Sequence, residues 1–250
     1  MNAKFAVLAA LTACMLTLRA ADDGHTDDYQ TGPIDVPVMR GDHVQGFMNR
    51  HNSRRSRIAK HESKHYDIVF FGDSITHNWE RKNGDGYIHG LAVWTEEFGG
   101  MEVLNCGVGG DRVENCHWRA ENGELAGYKA DVFCVLIGTN NRLNTSEEIS
   151  GGVKAFVKTI EKHHPESRIV LMTILPRCDI NPPKVTEDVI ARVRGANPLI
   201  RQWAADDKQI TILDLDEFFM NKDGTVKTEL FNDGIHLNDA GYRIWARELK

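Results

Sequence analysis

Residues 61–76, HESKHYDIVFFGDSIT, decide how the rest of the chain is read. Within them DIVFFG (67–72) is a short run of β-branched and aromatic side chains that stops at Gly72-Asp73-Ser74, the pattern of a buried strand ending in a turn. Four further runs repeat it: MEVLNCG (101–107), ADVFCVLIG (130–138), SRIVLMTIL (167–175) and ITILDL (210–215). Near-continuous apolar strands are what a parallel sheet covered on both faces requires. Amphipathic stretches lie between them. LAVWTEEFG (91–99) precedes the second strand and RVENCHWRAENG (112–123) follows it. Residues 145–164 open with Thr145 or Ser146 as a cap and Glu148 in the first turn, whereas 186–207 carries Gly195 and Pro198 and predicts a kinked helix or two pieces. A helix is expected from about Asp42 to His65, and another behind Asn238 closes the chain. Strand alternating with helix predicts a doubly wound α/β domain, and 250 residues suffice for one good core. The pattern does not fix strand order.

The opening stretch also carries two catalytic signatures that imply unrelated chemistries. His61-Glu62-Ser63-Lys64-His65 fits H-E-x-x-H, which holds zinc only when one helix runs through both histidines and presents them on one face. Here Tyr66-Asp67 and the first strand follow His65 at once, so the helix cannot continue, and in a chain with 11 histidines a chance match is unsurprising. No metal site is expected. Gly72-Asp73-Ser74-Ile75-Thr76 fits a nucleophile turn instead, and Ser74 falls directly after a strand, where open α/β sheets bind ligands.

Three other polar turns occupy corresponding places: GVGGDR (107–112), GTNNR (138–142) and FNDGIHLN (231–238). Their chemistry is complementary. A serine hydroxyl attacks only when a base takes its proton, and His236 can be that base while Asp233 holds the other ring nitrogen. The backbone N–H groups of Ser74 and Gly110 and the amide of Asn140 suit a developing oxyanion. Thr76 stands where the α/β-hydrolase elbow G-x-S-x-G needs glycine, so this is a different turn. Asp73 reads as a turn-amide acceptor. Asp111 either lines a pocket or caps the following helix, Asn141 supports the Asn140 loop, and Arg177 meets an anionic group or a local carboxylate. Asp73, Asp111, Asn141 and Arg177 are the pocket candidates. His163 and His164 read as surface residues.

These blocks, with NCGVGGDRVENCHWRAENGEL, GTNNRLNTSEEISGGVKAFV, LPR and DGIHLNDAGY, resemble the GDSL/SGNH hydrolase family from about Asp67 to the C-terminus. Within it, platelet-activating-factor acetylhydrolase catalytic subunits of the intracellular type carry the most similar blocks. The resemblance implies a flavodoxin-like three-layer α/β/α sandwich with a five-stranded parallel sheet. It also implies Ser74, Asp233 and His236 as catalytic residues, Ser74, Gly110 and Asn140 as the oxyanion hole, and no cofactor. The expected activity is hydrolysis of short acyl esters, acetyl above all, with O-acetylated glycans as candidate substrates. The alternatives are a lipolytic esterase with longer acyl preference and a non-catalytic carbohydrate- or lipid-binding protein on the same fold.

The first 20 residues read as an export signal: Lys4, then an apolar run from Phe5 to Leu18 too short to span a bilayer comfortably, then polar ADDGHTDD. Leu11-Thr12-Ala13-Cys14 resembles a lipobox, which makes lipidation of Cys14 the lesser alternative. Residues 21–42 read as an extended segment and 43–250 as the hydrolase domain. An exported protein with Cys106, Cys116, Cys134 and Cys178 permits disulfides without specifying them. Net charge is −6, and loss of a leader carrying Lys4 and Arg19 takes it to −8, which excludes a general nucleic-acid binder. The local exception is Arg50, Arg54, Arg55, Arg57, Lys60 and Lys64, a solvated helix face or a surface for an anionic glycan or lipid. Oligomeric state is left open, a homodimer included.

Overall fold

A computed structural model describes residues 34–41, 43–84, 86–178 and 186–250. The leader with Cys14, and residues 21–33 of the extended segment, lie outside the described residues. Among the described residues five strands, β1 (His65–Gly72), β2 (Val103–Gly107), β3 (Lys129–Leu136), β4 (Arg168–Met172) and β5 (Ile210–Leu213), form one sheet. All pairings are parallel and the order is β2-β1-β3-β4-β5. Strands β3, β4 and β5 stop short of the apolar runs that announce them, because the last residues of each run turn out of the ladder toward the loops above it.

Eight α-helices accompany the sheet among the described residues: α1 (Val44–Lys60), α2 (Ser74–His77), α3 (Leu91–Phe98), α4 (Val113–Arg119), α5 (Ser146–His163), α6 (Glu187–Arg194), α7 (Ala196–Ala204) and α8 (Asp239–Leu249). Strand pleat sorts the core into two layers. Val69, Phe71, Phe133, Val135, Ile169 and Leu171 point to one face and meet residues of α4, α5 and α7. Phe70, Cys134, Leu136 and Met172 point to the other and meet Trp79, Phe98, Tyr242 and Trp245. Phe70 packs its ring 6.1 Å from that of Trp245 and 5.6 Å from that of Phe98, so α3 and α8 are fastened by aromatic contact. The arrangement is a three-layer α/β/α sandwich.

Local signals explain most boundaries. Thr145 and Glu148 form a reciprocal capping box at α5, with the Glu148 N–H donating to Thr145 Oγ1 at 3.2 Å and the Thr145 N–H to Glu148 at 2.9 Å. Gly195 separates α6 from α7, and Pro198 falls in the first turn of α7, where its missing N–H costs nothing. Asn238 caps α8 through Gly241 N–H at 3.2 Å. The described part of the extended segment packs on the domain as a strap: Val38 N–H donates to Glu114 O at 3.0 Å, and Ile34 is buried against Gly152.

Helix α1 ends at Lys60, so His61 is its C-cap and His65 opens β1. His61 Nε2 bonds the His65 carbonyl at 2.7 Å, and His65 Nε2 lies 2.9 Å from Asp131. The two histidines never share a helix face, which removes the geometry H-E-x-x-H requires. His164, expected at the surface, is instead buried and bonded through Nε2 to Leu125 O at 2.9 Å. The chain turns inward there to enter β4. Cys106, Cys116, Cys134 and Cys178 are free thiols, the first three buried.

Candidate active site

The strand order places the site. A parallel sheet ordered 2-1-3-4-5 reverses direction between β1 and β3, opening a crevice above their carboxyl ends. Ser74 follows β1 and Asn140 follows β3, one on each side of that crevice. β1 stops at Gly72 level with Gly107 of β2 and Leu136 of β3. No side chain fits at Gly72, where a Cβ would lie 2.3 Å from Leu136 O, nor at Gly107, where it would lie 2.3 Å from His77 N. Their absence lets α2 sit directly on the sheet edge with Ser74 at its first position. Asp73 caps that helix, its carboxylate accepting the Ile75 N–H at 2.9 Å.

A chain of hydrogen bonds runs from Ser74. Its Oγ lies 2.9 Å from His236 Nε2, and His236 Nδ1 lies 2.8 Å from Asp233 Oδ2. Asp233 is fixed further by the N–H groups of Ile235 and His236, at 3.0 and 2.8 Å to Oδ1, and by the Tyr87 hydroxyl at 3.2 Å to Oδ2. Partial burial pushes the Asp233 carboxyl up, but hydrogen bonds from the His236 ring and backbone outweigh it and hold the group well below its usual range. It is therefore a carboxylate at neutral pH and fixes His236 with the proton on Nδ1, leaving Nε2 free to accept from Ser74.

Opposite Ser74, Gly110 takes φ +79°, a left-handed conformation suited to glycine. The backbone N–H groups of Ser74 and Gly110 have no acceptor among the described residues. Asn140 donates one amide hydrogen to Asp111 O at 2.9 Å, which orients the side chain and leaves its second N–H for a ligand. Asn141 is buried, accepting from Val113 N–H at 3.0 Å and donating to Glu114 at 2.9 Å, so it ties the β3 turn to the start of α4. Arg177 is buried as well and donates to Thr139 O at 3.1 Å.

Asp111 is fully buried. It accepts from Arg119 Nε at 2.8 Å; Arg119 pairs with Glu124, and Glu124 with His51 at 2.8 Å. Burial raises the Asp111 carboxyl to about 6 despite Arg119. It neither lines a pocket nor caps α4; it anchors the glycine turn from below. Arg40 of the strap closes the same turn from outside, donating to Gly109 O at 2.6 Å. Tyr87, Arg40, Arg119 and Asn105, whose amide bonds Thr76 O at 2.9 Å beneath α2, were not legible as site residues. Tyr87, Arg40 and Asn105 act across 146, 69 and 29 positions of chain, and no local pattern marks such a contact. Arg119 reaches back 8 residues to Asp111, a spacing outside the i+3 and i+4 pairs that a helix announces.

A model of the GDSL-like lipase/acylhydrolase family matches residues 70–244. The chain belongs to this family. The GDSL-like relatives include platelet-activating factor acetylhydrolase IB subunit alpha1 of Rattus norvegicus, 33% identical over 226 residues, which are 90% of this chain and 89% of the relative. Subunit alpha2 of the same organism is 31% identical over 215 residues, 85% of this chain and 86% of the relative. Among solved structures, a GDSL-like lipase from Bacteroides thetaiotaomicron aligns with TM-score 0.65 at 16% identity, covering 82% of this chain and 95% of that one. The acetyl xylan esterase AlAXEase aligns with TM-score 0.56 at 24% identity, covering 73% and 96%. These two likenesses concern the fold. The family makes this α/β chain a hydrolase of esters.

Proposed function

We propose that the protein is a serine esterase that removes short acyl groups, acetyl above all, through an acyl-enzyme on Ser74. The observation that carries this reading is the unbroken sequence of hydrogen bonds from Ser74 Oγ through His236 to Asp233 at the mouth of the crevice. Ser74 Oγ attacks the ester carbonyl carbon while His236 Nε2 takes its proton. The resulting oxyanion receives the N–H groups of Ser74 and Gly110 and the free amide hydrogen of Asn140, and Asp233 stabilises the imidazolium. Collapse of the tetrahedral species breaks the bond to the alcohol, which leaves with the proton from His236. Water, deprotonated by the same nitrogen, then releases the acid and restores Ser74.

The preference for acetyl is supported by the acetylhydrolase relatives, and a glycan alcohol by the fold's use in an acetyl xylan esterase. Residues 1–20, read as an export leader, support a substrate met outside the cytoplasm; among the described residues no helix is long and apolar enough to cross a membrane. The test is initial-rate hydrolysis of p-nitrophenyl acetate, butyrate and octanoate with Ser74→Ala as control. Serine-dependent turnover greatest on acetate is expected. Greatest turnover on octanoate replaces the acetyl preference by a lipolytic one, and equal rates with and without Ser74 overturn the reading.

A further inference from the structure

Of the six cations noted between Arg50 and Lys64, the fold brings three together. Lys64 turns back to donate to Ile58 O and Ala59 O, at 3.0 and 2.6 Å, and so closes the end of α1. Arg55 lies over Gly123, where an added Cβ would approach its Nε to 3.0 Å. Arg50, Arg54 and Arg57, at i, i+4 and i+7, share one face of α1 and extend about 10 Å along its axis. Arg81 and Lys82, just beyond the 3-10 turn Asn78–Glu80 that follows α2, border the same space, and the five line an open cavity of about 730 Å³ together with His77 and Glu80.

Five cations thus meet one carboxylate in the wall of this cavity. Glu80 is already shared, 3.0 Å from Arg57 and 3.7 Å from Arg54. Among the described residues no carboxylate comes within 4.0 Å of Arg50, Arg81 or Lys82. Burial and the neighbouring Arg54 bring Arg50 down to about 10, and burial with Arg50, Arg54 and Arg81 keeps His77 neutral at about 3. Such crowding is relieved by an anion, and guanidinium forks match the geometry of carboxylate, sulfate and phosphate groups.

The cavity adjoins the nucleophile. His77 stands one helical turn after Ser74, and a Cβ at Gly109 would lie 3.6 Å from His77 Nδ1 and 3.8 Å from Ser74 Cβ. Gly109 therefore lies between the serine and the His77 wall of the cavity, within van der Waals reach of both. We propose that this cavity is a recognition subsite for an acidic oligosaccharide, the alcohol part of the ester, bearing more than one carboxylate or sulfate. The inference rests on Ser74 taking the short acyl group, so that the anionic alcohol extends past Gly109 and His77 toward the cations. A space of this size with cations spread over two helical turns fits several anionic groups better than one. The cations line a recess, which a chain molecule enters more readily than a flat bilayer does.

The experiment is calorimetric titration of the full-length Ser74→Ala protein with oligogalacturonate, a sulfated dextran oligomer, neutral xylo-oligosaccharide, inorganic phosphate and anionic phospholipid vesicles. The proposal expects binding of an acidic oligosaccharide but not the neutral one. That binding should weaken at least tenfold in Arg50→Gln/Arg81→Gln and severalfold as salt rises from about 50 to about 300 mM, where surface charges are screened. Binding of neither acidic oligosaccharide, or binding that ignores the two substitutions, overturns it. Phosphate bound more tightly than the oligosaccharides, or vesicle binding lost in the double variant, overturns it in favour of a single-anion or lipid ligand. The same two substitutions in the otherwise unmodified chain should leave p-nitrophenyl acetate hydrolysis and melting temperature within twofold and about 3 °C of the parent, changes expected of surface substitutions. Normal acetate hydrolysis without polyanion binding removes only the subsite. Polyanion binding without serine-dependent hydrolysis removes the esterase reading.

Discussion

Replacing Asp233 by asparagine isolates one atom of the proposed machinery. The carbonyl oxygen of the new amide can keep both backbone hydrogen bonds, from Ile235 and His236 N–H, that now reach Oδ1 at 3.0 and 2.8 Å. The loop therefore has no reason to unfold. The amide nitrogen then replaces Oδ2, which today lies 2.8 Å from His236 Nδ1 and 3.2 Å from the Tyr87 hydroxyl. A donor now faces Nδ1, so the ring carries its proton on Nε2 and has no lone pair for Ser74, 2.9 Å away. Equivalent tautomer reversal in serine proteases lowers kcat roughly 10⁴-fold. The carboxylate here is only half-buried, so part of its effect is screened by solvent, and a fall of roughly 10³–10⁴ is expected. Initial rates on p-nitrophenyl acetate at pH 7.5, with matched thermal melts, measure it. A variant within about threefold of the parent (about 0.65 kcal/mol of barrier) would refute the role given to Asp233.

Three other substitutions probe separate parts of the account. Asn140→Ala should lower kcat by roughly 10²–10³, the loss for one oxyanion donor, with little change in KM. Arg119→Met removes the buried guanidinium that Asp111 and Glu124 share and should cost about 3–5 kcal/mol in urea denaturation at neutral pH, less in acid where the Asp111 carboxyl, raised to about 6, takes up a proton. Burial lifts Asp73 to about 7 against an ordinary 3.8. The native state then holds a proton that the unfolded chain has released, so stability falls as pH rises from about 4 to 7, by at most about 1.4 kcal/mol per pH unit. Urea midpoints across that range should decline more steeply for the parent than for Asp73→Asn; parallel curves would contradict the assignment.

The fold was legible because its strands are buried on both faces and so leave uninterrupted apolar runs, while Thr145-x-x-Glu148, Gly195 and Asn238 mark helix ends by local hydrogen bonding or backbone freedom. Strand order came only with the family resemblance, since nothing in DIVFFG says which strand lies beside it. The polar turns holding Ser74, Gly110 and Asn140 were legible because each follows a strand, and Asp233-x-x-His236 because its spacing sets a carboxylate beside an imidazole on the loop before α8. Their supports were not. Arg119 looks like any helical arginine until Asp111 is seen beneath the glycine turn, and Tyr87 belongs to a loop with no periodicity. The basic stretch divided for a geometric reason: one helical face carries Arg50, Arg54 and Arg57, and Arg55 points elsewhere.

The central claim is that Ser74 itself carries the acyl group. Rapid mixing of the protein with p-nitrophenyl acetate, acid quenching within the first turnover and peptide mass spectrometry tests it directly. The account predicts one acetyl group on the peptide containing Ser74, absent in Ser74→Ala and accompanied by a burst of nitrophenol. No acetylated Ser74 in a protein that still turns over the ester, or acetylation confined to another residue, would contradict it.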